Sequence, residues 1–127
     1  MKNLMLIIVA VILSFTTYAQ QKTGWKEMDK FHELSNQTLH TAMAGNCQPI
    51  KQNSTALLDA AKNWQQSKAP KGCDTPKYKA DLDELVKESR ELDAAVKAGK
   101  PDEDLRTLAD KTHKTFHVLL AETVINP

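Results

Sequence analysis

His113 and His117, near the C-terminus, are the residues of this chain whose type and spacing best suit a functional site. The segment around them has the pattern of a helix, which places the two imidazoles one turn apart on the same side. Only two other histidines occur, His32 and His40. Imidazole is a common ligand of transition metals. The chain contains no nucleophile elbow, phosphate loop or CxxC pair. A functional site is therefore expected at the histidines.

The elements that must position these histidines are four amphipathic helices. Apolar residues recur at three- and four-residue steps in four segments, as expected for helices with one buried face. The segments run over about 25–44, 49–67, 76–98 and from 101 onward, with Gly45 and Gly99 as stop signals and Thr75 as a cap. No segment alternates with a period of two. The sequence therefore predicts an all-α, up-down-up-down antiparallel four-helix bundle.

The first residues have the pattern of an export signal. Lys2 precedes an apolar run from Leu4 to Leu13, and Thr17-Tyr-Ala19 is a small-x-small cleavage pattern. The run is too short to span a bilayer. We therefore expect a signal peptide at 1–19, cleaved after Ala19, and a bundle domain at 20–127. The predicted location is the periplasm, with no membrane attachment after cleavage.

The charge balance argues against nucleic acid as a partner. The chain carries 17 Lys and Arg residues against 16 Asp and Glu, and loss of Lys2 with the signal leaves 16 of each. The charges alternate in sign along the predicted helices, which is typical of solvated faces rather than of a basic patch.

Two cysteines, Cys47 and Cys73, stand at opposite ends of the predicted second helix. A helix of that length separates its ends by roughly 25 Å, which is far beyond the reach of a disulfide. Free thiols are one expectation. A bridge between two copies, and hence a homodimer, is the other, and an intrachain bridge would require a loop to fold back.

The first and last helices of such a bundle are antiparallel neighbours. Matching their heights places His32 near His117, and Asn36 near His113. The predicted metal site therefore consists of His32, His113 and His117. Imidazole ligands indicate copper, zinc or nickel as the bound metal.

Three further residues are candidate ligands. Met28 lies one turn from His32, and its thioether would suit copper. Asp110 stands three residues before His113, at the spacing that metal sites in bundles use for a carboxylate and a histidine. His40 lies off the core stripe of the first helix and is expected at the surface or behind the ligands, unless that helix is rotated.

Serines interrupt three of the core stripes, at Ser35, Ser54 and Ser89. A packed bundle core normally prefers Leu or Ile at such positions. The serines indicate either a hydrogen-bonded layer or room for a flat cofactor.

The chain resembles the cytochrome b562 family of periplasmic four-helix haem proteins. The similarity lies in the segments 46–70 and 95–99, and in Lys111-Thr-His-Lys-Thr-Phe-His117, where an aromatic residue directly precedes a histidine. The resemblance implies a b-type haem held by Met28 and His117, with His32 as a rival to Met28. His113 and His32 are additions to the family pattern.

The chain is also similar to a loosely described set of small exported bundles. These carry Phe-His and a second histidine on the first helix, and His-x-x-Phe-His on the last. Phe31-His32, His40 and 113–117 match that pattern, which implies metal binding of unsettled role.

Three functions follow as expectations. The first is an exported bundle that binds a transition metal through histidines of its first and last helices, without being an enzyme. The second is a b-type haem protein in electron transfer. The third is a metal-free periplasmic interaction module.

Overall fold

The structure is a computed structural model that describes residues 23–125, with side chains as far as Thr123. The predicted signal peptide, its cleavage site and residue 20 lie outside the described residues. The four helices are α1 (Lys26–Met43), α2 (Gln48–Gln66), α3 (Pro76–Lys97) and α4 (Asp102–Ile125). Their bounds match the predicted segments to within one or two residues.

The helices form an all-α four-helix bundle, as predicted. Each packs against the next along the chain, and α1 packs against α4 to close the ring. Consecutive helices run antiparallel through two short connections and a longer one at 67–75, so α1 and α4 are also antiparallel neighbours. No strand occurs in the range 23–125. The first and last helices therefore share one seam, which is where the histidines were expected.

Glycines end α1 and α3 as the sequence predicts. Gly45 has φ of 103°, and the amides of Gly45 and Asn46 donate to the carbonyls of Ala42 and Thr41 at 3.0 and 2.8 Å. Gly99 has φ of 69°, and the amides of Gly99 and Lys100 donate to carbonyls of the last turn of α3 in the same way. Both ends are Schellman motifs, which need a residue with positive φ and so favour glycine.

Aromatic side chains from all four helical segments meet in the core. The rings of Phe31, Trp64 and Phe116 contact one another, with centroids 5.3 to 6.0 Å apart. Trp25, just before α1, packs against Trp64 and stacks on Tyr78 of α3, at 5.8 Å in both cases. Such contacts add to the stability gained from burial. Phe31 and Phe116 join α1 to α4 directly and hold their facing sides together.

The serines on the core stripes have two different environments. Ser54 donates a hydrogen bond of 2.8 Å to Asp93, which also accepts from Thr55 and pairs with Lys97 at 2.9 Å. Burial acts to raise the pKa of Asp93, but these three partners outweigh it and the pKa falls below its usual value. The hydroxyls of Ser35 and Ser89 are buried and have no hydrogen-bond partner among the described residues. The expected polar layer is therefore only partly paired.

Cys47 and Cys73 are both free and buried. Cys47 caps α2, with its sulfur 3.8 Å from the carbonyl oxygen of Asp102, and Cys73 lies in the loop after α2. Burial raises the pKa of both thiols, which lowers the fraction of reactive thiolate. The two thiols lie on either side of α2, as the sequence predicts.

Among the helices described, none is long and apolar enough to cross a membrane.

Phe116 is the ring through which α4 reaches both α1 and α2. We expect Phe116→Ala to lower the free energy of unfolding by about 3–5 kcal/mol, because a buried ring is replaced by a cavity. Val118 of the same helix is 45% exposed, so Val118→Ala should change the free energy of unfolding by no more than about 0.5 kcal/mol. Urea unfolding followed by circular dichroism measures both. Equal effects of the two changes would contradict this account of the core.

Glu88 of α3 is buried with one hydrogen bond, from the Thr115 hydroxyl. Burial raises the pKa of Glu88, so its charged form destabilises the fold above that pKa and its neutral form does not. Glu88→Gln keeps the acceptor and removes the charge. The urea midpoint should therefore rise at pH 8, and the gain should shrink as the pH falls through the folded pKa. Exposed Glu33→Gln, on α1, is the control, and a gain that does not depend on pH would contradict the assignment.

Candidate functional site

Three histidines make direct contact across the seam between α1 and α4. The Nε2 atoms of His40 and His113 are 3.0 Å apart, and those of His113 and His117 are 2.9 Å apart. Ring centroids lie 4.5 and 4.2 Å apart in the same two pairs. His113 is therefore the centre of the cluster, with one imidazole from its own helix and one from the neighbouring helix turned toward the same nitrogen.

The core contacts explain why these side chains meet. Phe31 and Phe116 touch at a centroid distance of 5.3 Å and face the interior. His117 follows Phe116 directly and so lies at the outer edge of the same seam, exposed to solvent. His113 stands one turn earlier on α4 and is half-buried. The cluster thus lies where the seam opens to solvent, above a packed aromatic core.

His40 is a direct member of the cluster, although the sequence placed it off the core face. The expectation matched backbone heights, whereas side chains on a helix lean toward its N-terminus. On two antiparallel helices they lean in opposite directions. The side chain of His40 reaches His113 although His40 lies one turn beyond Asn36, the residue expected at the height of His113.

His32 lies beside the cluster rather than within it. Its ring packs against Phe116 with centroids 5.1 Å apart. Phe116 directly precedes His117, so His32 lies close to the height along α4 that the sequence predicts for it. No hydrogen bond or ring contact joins His32 to another histidine in the described part of the chain. Its charge nevertheless interacts with those of His40 and His117. The structure therefore brings together two of the three predicted ligands, His113 and His117, and adds His40.

The other two candidates are further removed. Met28 is completely buried in the hydrophobic core. Asp110 forms an ion pair with Lys114 at 2.9 Å, and its charge acts on His113 to raise the pKa of that residue. Asp110 is thus an electrostatic neighbour of the cluster, and Met28 is a core residue.

A solvent-open groove adjoins the cluster along the same seam. It has a volume of about 430 Å³ and is lined by Met43, Glu103, Arg106, Thr107 and Asp110. Met43 follows His40 by three residues and Asp110 precedes His113 by three, so the groove begins about one turn from the imidazoles. Solvent and small ions therefore have an open approach to the cluster.

Burial and mutual repulsion favour neutral imidazoles. Burial lowers the pKa of His113, positive charge on His117 or His40 lowers it further, and Asp110 partly opposes the shift. Burial also lowers the pKa of His32. Asp29 partly opposes this shift, and His40 and His117 add to it. Metals bind the neutral form of imidazole. At neutral pH both residues are therefore in the protonation state that a metal requires.

Hydrogen bonds among the three imidazoles cannot pair all three nitrogens at once. An imidazole Nε2 has one in-plane position, occupied either by a proton or by a lone pair. His113 Nε2 faces two nitrogens and can exchange one well-aligned hydrogen bond with only one of them. A metal ion would instead accept the lone pairs of all three.

As the side chains stand, no group of three or more His, Cys, Asp and Glu residues within 23–125 has the arrangement of a ready metal site. The nitrogens of His40, His113 and His117 lie in a chain of contacts rather than around a shared central point. Binding would require rotations of the imidazoles that direct their lone pairs to one ion. Two of the three rings belong to exposed residues, which leaves them free to rotate.

A haem between Met28 and His117 fits the packing poorly. Met28 is fully buried, whereas His117 is exposed. The ring of Phe116 fills the space between His117 and the core face of α1, where it contacts both Phe31 and His32. A porphyrin held by Met28 and His117 would have to displace these rings.

No protein-family model, curated protein or solved structure matches this chain. The likeness to cytochrome b562 and to the exported histidine-containing bundles rests on the residues quoted from the sequence, and stays a prediction.

The contact between His113 and its neighbours predicts opposite shifts of the His113 pKa in two variants. His117→Gln should raise it, because the positive charge that opposes protonation of His113 is removed. Asp110→Asn should lower it, because the favourable negative charge is lost. Titration of the imidazole resonances by NMR measures both. Shifts in the same direction, or none in His117→Gln, would contradict the contact between His113 and His117.

Proposed function

We propose that this protein is exported and binds a transition-metal ion through histidines of its first and last helices. The ligands are His40, His113 and His117, with His32 as a neighbour outside the ligand set. The observation that carries the proposal is the meeting of three Nε2 atoms at 2.9 and 3.0 Å, which hydrogen bonds among the three rings cannot all pair.

The position of the cluster favours binding over catalysis. His40 and His117 are exposed, and the adjoining groove is open to solvent. Enzymes generally enclose the reacting groups and exclude water from them. An exposed cluster of imidazoles instead suits capture and release of an ion, as in a metal-binding or stress-protection protein.

The proposal is tested by metal titration of the mature chain, residues 20–127, with Zn²⁺, Cu²⁺ and Ni²⁺ in competition with a chelator. Replacing any one of the ligands with alanine should weaken metal binding by at least about tenfold (His40→Ala, His113→Ala and His117→Ala). Even replacing a residue that only hydrogen-bonds to a metal ligand typically lowers metal affinity by about 10- to 100-fold. His32→Ala is the matched control and should change the affinity little, because His32 makes no direct contact with the three.

Circular dichroism and urea unfolding of each variant separate loss of a ligand from loss of the fold. The exposed position of His40 makes His40→Ala the variant least dependent on packing. Absence of binding by the unaltered chain, or affinities unchanged in all three variants, would refute the proposal. A loss in His32→Ala equal to the others would restore His32 to the ligand set.

A further inference from the structure

Two hydroxyls in the bundle core take no part in the contacts described so far. Ser35 of α1 and Ser89 of α3 are 0% and 1% exposed, and neither hydroxyl has a hydrogen-bond partner among the described residues. The buried hydroxyls of Thr38 and Thr112, by contrast, donate to the carbonyl four residues earlier in their own helices. An unpaired buried hydroxyl costs free energy, so such groups in native proteins are normally bonded to protein or to ordered water.

Ser35 and Ser89 lie at nearly the same height in the bundle. The route from α1 to α3 through α2 is fixed by two contacts, those of Phe31 with Trp64 and of Gln65 with Asp83. The route through α4 is fixed by two others, those of Phe31 with Phe116 and of Glu88 with Thr115. Counted one turn on from Phe31, Ser35 comes level with residue 88 by the first route and with residue 91 by the second. Ser89 lies between these positions, so the two heights differ by no more than about two residues, or about 3 Å along a helix.

The core side chains at this height are small on all four helices. On the same count, α2 and α4 contribute Ala61 and Thr112, which are completely buried. We call Ser35, Ala61, Ser89 and Thr112 the serine layer. Bulky buried side chains lie one turn away on either side: Phe31, Trp64 and Phe116 in one direction, and Leu39, Leu57 and Leu92 in the other. Because protein cores are close-packed, a layer of four small side chains between two bulky layers has room for a small molecule.

The two serines belong to helices that lie diagonally across the bundle. Both α1 and α3 pack against α2 and α4 and, over the described residues, not against each other. Buried serines on diagonal helices face each other across the centre, and their short side chains leave a gap between the hydroxyls. A water molecule carries two donors and two acceptors, so it can pair with both. Buried waters typically make about three hydrogen bonds to groups that would otherwise be unsatisfied.

We propose that the serine layer is a binding site for internal water, in which at least one ordered water molecule bridges the hydroxyls of Ser35 and Ser89. The ligand class is a small neutral molecule that both donates and accepts hydrogen bonds. None of the four side chains of the layer carries a charge, so an ion would lose its hydration there without a counter-charge. The site lies inside the bundle and does not depend on metal binding at the histidines.

The direct test is ¹⁷O magnetic relaxation dispersion of water in a solution of the purified protein. This measurement detects long-lived internal water and is not affected by exchange of hydroxyl protons. The unaltered chain should show at least one such water, and Ser35→Ala combined with Ser89→Ala should remove it. Thr38→Val is the control and should retain it, because the Thr38 hydroxyl is bonded within α1. No internal water in the unaltered chain, or an undiminished signal in the double variant, would overturn the proposal.

Urea unfolding of the two single variants gives a second readout, which a dry core would move in the opposite direction. If water pairs the hydroxyls, Ser35→Ala and Ser89→Ala each remove a partner of the bound water, and the urea midpoint falls. If the hydroxyls are dry and unpaired, each change removes an unsatisfied group and the midpoint rises. If each serine instead rotates onto a carbonyl of its own helix, as Thr38 does, the midpoint changes little. Only a fall in both variants agrees with the proposal, and a rise or no change in either overturns it.

Discussion

The contact between Phe31 and Phe116 is the interaction on which the candidate site depends. These rings join α1 to α4 in the core at 5.3 Å, and Trp64 of α2 supports both. A histidine follows each ring in the sequence, so rings that face inward bring His32 and His117 to the outer edge of the seam. The geometry of the imidazoles is therefore set by apolar packing, which is stronger and less dependent on pH than the contacts among the histidines themselves.

The histidine cluster contributes little to the stability of the seam that holds it. Contacts among nitrogens that cannot all be hydrogen-bonded to one another are at best weakly favourable. Burial and then repulsion from its neighbours lower the pKa of His113, the central imidazole. The remainder of the bundle supplies the stability, through the aromatic core and the paired Asp93 between α2 and α3. Functional sites commonly retain such locally unfavourable arrangements, which the surrounding structure holds in place.

Local signals made the helices predictable, whereas contacts between helices were harder to predict. Gly45, Gly99 and Thr75 act through the backbone of their own turns, so their roles can be read from neighbouring residues. The contact between His40 and His113 joins residues 73 positions apart. It depends on the stagger of two helices and the tilt of their side chains, which no periodicity within one helix reveals. For the same reason the sequence does not predict that Ser54 pairs with Asp93, which lies 39 residues away on the next helix.

Metal binding at this seam would change what the cluster does for the fold. Without an ion, the three imidazoles are crowded donors at one edge of the bundle. With an ion, they would form a bridge between α1 and α4, the helices furthest apart in sequence. A ligand that binds only the folded state stabilises it in proportion to the logarithm of its concentration relative to the dissociation constant. The site would therefore couple the stability of the seam to the supply of metal, while the aromatic core beneath keeps the bundle folded when metal is absent.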